Sequence, residues 1–385
     1  MSQTFDLAGL KRYPIRKNDL LQAWDSADEL MLEHLGNQGE KFKGRVLILG
    51  DSFGALTCAL ESAIKGGRTD LEVTSYTDSY VSAQGIRMNS EEAGLDLPRI
   101  IHDLGDLKGT YDWVLVRIPK TLSFLEDMLC RVSAHLRPES KLVCGYMVKH
   151  QANSSFDLIG KYFGDTTTSL AKKKARLIFA SFQRSKVPSP YPTEVSFLPA
   201  DSSLDKPFVH HSNLFARDKI DIGTRFLLEH IPQGEFRRIL DLGCGNGVIG
   251  IAAKLLNPQA QIHFCDESAM AIQSAKTNYA AYFSDEAVFT WTNCFEPQAP
   301  GSHEPFDLVL CNPPFHQGTT VADHIAWKMF TDSRRVLAPG GVLRVIGNSG
   351  LHHPATLKRI FGDSEVVAKN PKFTIVDAFS SPRPR

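Results

Sequence analysis

The chain carries one pattern twice, and an internal repeat constrains a fold more than any single motif. Arg45–Gly54 (RVLILGDSFG) aligns with Arg238–Gly247 (RILDLGCGNG) at an offset of 193 residues, with one Arg, two Leu and two Gly coinciding. Tyr76–Ser79 falls beside Phe264–Glu267 at 188, and Tyr111–Val116 falls beside Phe306–Cys311 at 195. Three matches in one order imply two copies of a single α/β domain, the first of them decayed. The length of 385 residues suits two domains. Val187–Pro192 (VPSPYP) can form neither helix nor central strand, so the division is expected at 1–190 and 191–385.

The second copy alternates short apolar runs with amphipathic ones. Strands are predicted over Arg238–Leu242, Gln261–Cys265, Ala287–Trp291, Phe306–Cys311 and Val342–Ile346. Helices are predicted over Ala216–His230, Val248–Leu256, Ala269–Ala281 and Val321–Leu337. Another helix is expected before about residue 36. Alternation of this kind gives a mainly parallel sheet covered on both faces. Such sheets bind ligands beyond the carboxyl ends of their strands, at the switch point.

Composition excludes several classes. No apolar run reaches membrane-spanning length, and Met1–Ile15 lacks the apolar core of a leader. The 7 cysteines are scattered without a C-x-x-C pair, so neither a disulfide framework nor a zinc site is expected. His210-His211 and His352-His353 read as solvated loops rather than metal ligands. A cytoplasmic protein away from membranes is the expectation, with a metal-free monomer taken as the default. The 43 basic and 43 acidic side chains cancel, yet charge is unevenly placed. No acid lies between Asp165 and Glu194, where Lys172, Lys173, Lys174, Arg176, Arg184 and Lys186 cluster. A second acid-free span, from Asp332 to Asp363, carries Arg334, Arg335, Arg344, Lys358 and Arg359. Such stretches suit solvated faces or a polyanionic partner.

Asp241-Leu-Gly-Cys-Gly-Asn-Gly247 joins a strand to a helix, and Gly243, Gly245 and Gly247 allow a sharp turn and close ligand approach. Asp266 follows Asp241 by 25 residues, at the end of the next strand. There a carboxylate can accept from ribose hydroxyls, or simply cap a helix. A pyrophosphate would be repelled by Asp241, whereas a cation would be held. S-adenosylmethionine, with an ammonium, a sulfonium and no phosphate, therefore fits better than a dinucleotide.

Asn312-Pro313-Pro314-Phe315 follows a strand directly. The prolines have no N–H and cannot extend the ladder, which leaves carbonyls free. The Asn312 side-chain oxygen and the Pro313 carbonyl can accept both hydrogens of an exocyclic amine. An aromatic amine is a poor nucleophile, so orienting it toward the methyl group is the chemical task. Phe315 offers a face for the base to stack on.

These stretches are similar to the S-adenosylmethionine-dependent rRNA guanine-N2 methyltransferases of bacteria. Further matching segments are Phe215–Gly223 (FARDKIDIG), Asn312–Gln317 (NPPFHQ) and Asn370–Val376 (NPKFTIV). Leu20–Asp28 (LLQAWDSAD), Val46–Leu56 (VLILGDSFGAL) and Lys172–Ile178 (KKKARLI) resemble the large-subunit branch. The resemblance implies two tandem Rossmann-like class I methyltransferase domains with mainly parallel seven-stranded sheets, the first degenerate. It implies methylation of the N2 amine of a guanine in 23S rRNA. The alternatives are a 16S rRNA guanine, adenine N6, a protein glutamine, or a non-catalytic RNA chaperone on the same scaffold.

By position, the resemblance gives Asp241, Gly243, Gly245, Gly247, Asp266, Asn293 and Asn312 to the donor. At Asn293 this chain departs from the acid that relatives place against adenine. Asn312, Pro313 and Phe315 hold the target base, and His316 contacts RNA or positions it. Arg217 and Asp221 line the donor pocket or RNA channel, or form a structural salt bridge. The first copy has Ile48, Ser52 and Phe53 where the second has Asp241, Gly245 and Asn246, and Arg117–Lys120 (RIPK) where it has NPPF. Asp78 is read there as the surviving match to Asp266. This copy is expected to bind no donor and to hold RNA through Arg117, Lys120, Lys172, Lys173, Lys174 and Arg176.

Overall fold

A computed structural model describes residues 5–17, 19–150, 153–196, 203–215, 219–296, 304–314, 320–351 and 353–380. The chain divides into two compact units, Met1–Tyr191 and Pro192–Arg385. In the first unit the strands are β1 (Gly44–Leu49), β2 (Leu71–Tyr76), β3 (Arg99–Ile101), β4 (Tyr111–Arg117), β5 (Leu136–Met147), β6 (Thr167–Thr168) and β7 (Ala175–Ser181). Its helices are α1 (Ser26–Gln38), α2 (Ala55–Lys65), α3 (Tyr80–Glu92), α4 (Leu122–Ser133) and α5 (Asn153–Tyr162). The second unit opens with a two-stranded ribbon, β8 (Thr193–Val195) and β9 (Phe208–His210). Then come α6 (Ile222–Leu228), β10 (Arg238–Leu242), α7 (Val248–Leu256), β11 (Gln261–Asp266), α8 (Ala269–Tyr282) and β12 (Val288–Trp291). β13 (Phe306–Cys311), α9 (Thr320–Val336), β14 (Leu337–Asn348), α10 (His353–Phe361), β15 (Ser364–Lys369) and β16 (Phe373–Phe379) complete it.

Each unit holds a seven-stranded sheet of the same order, β3-β2-β1-β4-β5-β7-β6 and β12-β11-β10-β13-β14-β16-β15. The first five strands of each order are parallel, and the sixth, β7 or β16, runs antiparallel to its neighbours on both sides. Both are Rossmann-like methyltransferase folds. Strand order reverses about β1 and β10, which puts the glycine turns that follow them at the switch points.

Interior strands are continuous apolar runs because both faces are covered. In β10, Ile239, Leu240 and Leu242 are fully buried, and Asp241 is the one polar exception. Phe264 of β11 stacks on Phe289 with ring centroids 5.0 Å apart. Burying such a side chain contributes roughly 1.5–3 kcal/mol. Helix α6 is shorter than the sequence pattern suggested, starting at Ile222 behind an Asp221 cap. All 7 cysteines are free, six of them buried. Burial pushes the Cys58 thiol up to about 12 and Cys244, Cys265 and Cys311 well above the ordinary thiol range. Among the described residues no helix is long and apolar enough to cross a membrane.

The duplication runs deeper than the sequence alignment. Asn89 of α3 donates Nδ2 to Phe53 O at 2.7 Å and to Lys11 O at 2.8 Å, and accepts from Lys11 N at 2.9 Å. Asn278 of α8 donates to Asn246 O at 2.9 Å and Val209 O at 3.0 Å, and accepts from Val209 N at 2.6 Å. In both units one asparagine pins the turn after the first central strand to a leading segment of that unit. His210 is therefore not solvated: it is 1% exposed on β9 and lies 3.0 Å from the Asn246 amide. His211 sits 2.8 Å from Ser274 Oγ. His353 packs edge-on against Phe330, and His352 lies outside the described residues.

Candidate active site at the carboxyl edge of the second sheet

The turn after β10 brings the three glycines to left-handed backbone angles. Gly247 caps α7 at φ 83°, and a Cβ there would press on Ala275. Gly245 has φ 54° and open space where a Cβ would stand. Its N–H donates to Asp266 Oδ2 at 2.9 Å, while Ser268 N–H donates to Oδ1 at 2.9 Å. Asp266 thus braces Ser268, the cap of α8, and leans toward the glycine turn.

Asp241 lies beneath this turn, 1% exposed. Its Oδ2 accepts the Gly250 N–H at 2.8 Å, and its Oδ1 is buried without a hydrogen-bond partner among the described residues. Burial, opposed by the Gly250 bond and reinforced by the Asp266 charge, pushes its carboxyl up to about 7. A buried acceptor left open beneath a turn that faces open space fits a ligand bearing a cationic nitrogen. The residues present therefore suit the donor inferred from the sequence.

Asn293 is 8% exposed, and its Nδ2 donates to Glu296 Oε1 at 2.7 Å. Asn312 follows β13 at the same edge. Its Nδ2 donates to Thr224 Oγ1 at 2.9 Å, and its Oδ1 is buried with no partner among the described residues. Pro313 beside it is buried and Pro314 is exposed. Asp221 accepts from Thr224 N–H at 3.2 Å and so caps α6. Phe315, His316 and Arg217 lie outside the described residues. Thr224 was missed at the sequence level, since its link to Asn312 spans 88 residues.

The first unit holds a different set at the matching places. Ile48 replaces Asp241 in the buried strand. The Phe53 ring lies against Gly85 of α3, with the Arg12 guanidinium 5.3 Å from its centroid. The Asp78 match is one residue out of register. Gly50 N bonds Tyr76 O as Gly243 N bonds Cys265 O, so Thr77 stands in the place of Asp266. Thr77 Oγ1 accepts from Ser79 N at 3.1 Å, the role Asp266 Oδ1 has toward Ser268. The ribose carboxylate is absent there.

Arg117, expected at RNA, is committed to acids of its own unit. It pairs with Asp25 at 2.8 Å and Asp28 at 2.7 Å, with its side chain 18% exposed. Burial works against its charge, but the two acids outweigh it and hold the pKa above the ordinary value. Lys172 pairs with Glu33, Lys173 with Glu29 at 2.8 Å, and Arg176 Nε donates to Ser169 O at 3.1 Å. Lys120 and Lys174 are exposed. Lys173 (φ 48°) and Lys174 (φ 65°) form the tip of a two-residue hairpin closed by Lys172 and Ala175. No group of three His, Cys, Asp or Glu among the described residues is placed to hold a metal.

The RLMG N-terminal domain family matches residues 1–184, and the methyltransferase small domain family matches residues 205–377. The chain is 44% identical over 377 residues to the ribosomal RNA large subunit methyltransferase G of Ectopseudomonas mendocina, covering 96% of each chain. It is 43% identical over 374 residues to that of Pseudomonas aeruginosa, again covering 96% of each. Among solved structures it is similar to the T. thermophilus 16S rRNA N2 methyltransferase in complex with AdoMet and guanosine. That likeness has a TM-score of 0.73 at 19% identity and covers 92% of both chains, showing a shared two-unit fold. With two close relatives matched over nearly their whole length, the chain belongs to the ribosomal RNA large subunit methyltransferase G family.

Proposed function

We propose that this chain transfers the methyl group of S-adenosylmethionine to the exocyclic N2 amine of a guanine in 23S rRNA. Residues 191–385 carry the chemistry, and residues 1–190 handle the RNA. The protein acts as a cytoplasmic monomer without a metal. The observation that carries this reading is the Asn312 amide, whose buried oxygen is left open at the switch point of a methyltransferase sheet.

The bound donor supplies an electrophilic methyl on a sulfonium. The chain's own residues supply orientation. Asn312 Oδ1 and the Pro313 carbonyl accept the two amine hydrogens and turn the nitrogen lone pair toward the methyl carbon. The carbon–sulfur bond breaks as the nitrogen–carbon bond forms, and the amine becomes acidic only then. Its proton then passes to water without a strong base. Asp266 accepts from the ribose hydroxyls, Asp241 faces the ammonium, and Gly243, Gly245 and Gly247 let the backbone come close. Asn293 accepts from the adenine amine through its oxygen. In the first unit Lys120 and Lys174 offer charge to phosphates, joined by Lys172, Lys173 and Arg176 when their local partners give way.

The test uses labelled donor with 23S and 16S rRNA from a strain lacking the gene, each as free RNA and as subunits. Digestion and mass analysis should find N2-methylguanosine in 23S rRNA. Label confined to 16S rRNA, or carried on adenine, overturns the reading.

A further inference from the structure

We infer that Thr224 is a positioning residue that holds the Asn312 amide by its nitrogen and so keeps its oxygen for the target amine. This rests on the base-holding role given to Asn312 above.

A side-chain amide presents an acceptor on one side and two donors on the other, and half a turn exchanges them. Only the acceptor face can hold an NH2 group; the donor face would set N–H against N–H. Thr224 Oγ1 takes the donor side at 2.9 Å, which leaves Oδ1 buried and without a partner among the described residues. Thr224 is itself fixed. It is 8% exposed, its N–H is held by Asp221 at 3.2 Å, and its β-branched side chain has few rotamers. Pro313 has no N–H, so the backbone beside the amide offers no donor that would pull Oδ1 the other way.

The duplicate shows that contact between these two places belongs to the scaffold. Asp25 caps α1 as Asp221 caps α6, at an offset of 196. The same offset carries Asp28 onto Thr224, and 195 carries Arg117 onto Asn312. In the first unit that pair meets at 2.7 Å as an ion pair. In the second, a neutral bond takes one face of the amide and leaves the other open.

The test compares full-length Thr224→Val and Thr224→Ser with the parent on 23S rRNA. Val keeps the shape and removes the acceptor, so kcat should fall about tenfold or more. Donor dissociation constant and melting midpoint should stay close to the parent's, and Ser should restore kcat to within threefold. Asn312→Asp provides the control, because a carboxylate has no donor face to misplace. On that background Thr224→Val should cost less than twofold. Parental kcat in Thr224→Val overturns the inference, as does an equal loss on the Asn312→Asp background, which would mark a merely structural role. If Asn312→Asp is itself inactive, failure of Ser to restore kcat overturns it. A parent protein that puts no methyl on guanine N2 overturns the underlying reading instead.

Discussion

Arg117 and Asp28 meet at 2.7 Å in the first unit, at the two places where the second unit sets Asn312 against Thr224. Decay of the first copy did not leave an empty cleft. The position that would hold a base became a guanidinium locked onto two acids, and the turn that would admit a donor received an aromatic ring. Two gains of local order replaced two ligand contacts.

Removing the Arg117 side chain isolates two carboxylates, one of them buried. Arg117→Ala should therefore destabilise the protein by roughly 3–5 kcal/mol at pH 8 in urea unfolding. Burial already pushes Asp28 up to about 6 against the pull of Arg117. At pH 5 the stranded acid takes a proton, so the deficit should shrink there. RNA affinity at equal folded fraction should not change; a tenfold loss would return Arg117 to the RNA surface.

Asn312→Ala deletes the open oxygen while leaving the donor's turn intact. Turnover on 23S rRNA should fall roughly 10²–10³-fold, the range seen when a pre-set hydrogen-bonding group is removed from a reacting centre. Donor titration by calorimetry should give nearly the parental dissociation constant. Full turnover by this variant would remove the amine-holding role.

Asp241 links donor binding to protons. Its raised pKa means the folded chain holds a proton there between pH 3.8 and about 7 that the unfolded chain has lost. Its contribution to stability is thus present below pH 3.8 and is lost as pH rises through 7. An ammonium nearby favours the ionised form, so donor binding at pH 6 should release up to about one proton. The release should vanish above pH 8 and in Asp241→Asn. Calorimetry in buffers of different ionisation enthalpy measures it, and zero release at pH 6 would separate Asp241 from the cation.

The lysine hairpin stores strain, since non-glycine residues in left-handed conformation cost about 1–2 kcal/mol each. Lys173→Asn with Lys174→Gly suits a two-residue turn of this kind better and should raise stability by about 1 kcal/mol or more. The same change should weaken binding to 23S rRNA. Lys120→Ala and Lys174→Ala should each lower the salt dependence of binding by about one unit of log slope. Unchanged salt dependence in both would move the RNA surface elsewhere.

Much of the second unit was legible because parallel interior strands are plain apolar runs. Arg238–Leu242, Val248–Leu256 and Phe306–Cys311 have the bounds read from the sequence. The glycine turn was legible for the same reason, standing between two such elements. What escaped depends on partners distant in sequence. Nothing near Arg117 announces Asp25, 92 residues away, so their ion pair went unread. Asp78 was misread because strand ends carry no mark of register, and one residue of slip exchanges Thr77 for an acid. The edge strand β15 went unread, since Ser364, Glu365 and Lys369 leave it too short an apolar run to mark a strand.

The cysteines, finally, make the molecule easy to label. Thiols sunk in the cores with their ionisation suppressed react slowly with maleimides at neutral pH. One surface cysteine introduced into each unit can therefore carry a fluorophore on the otherwise native protein, and the distance between the two dyes can be followed as rRNA is bound and released.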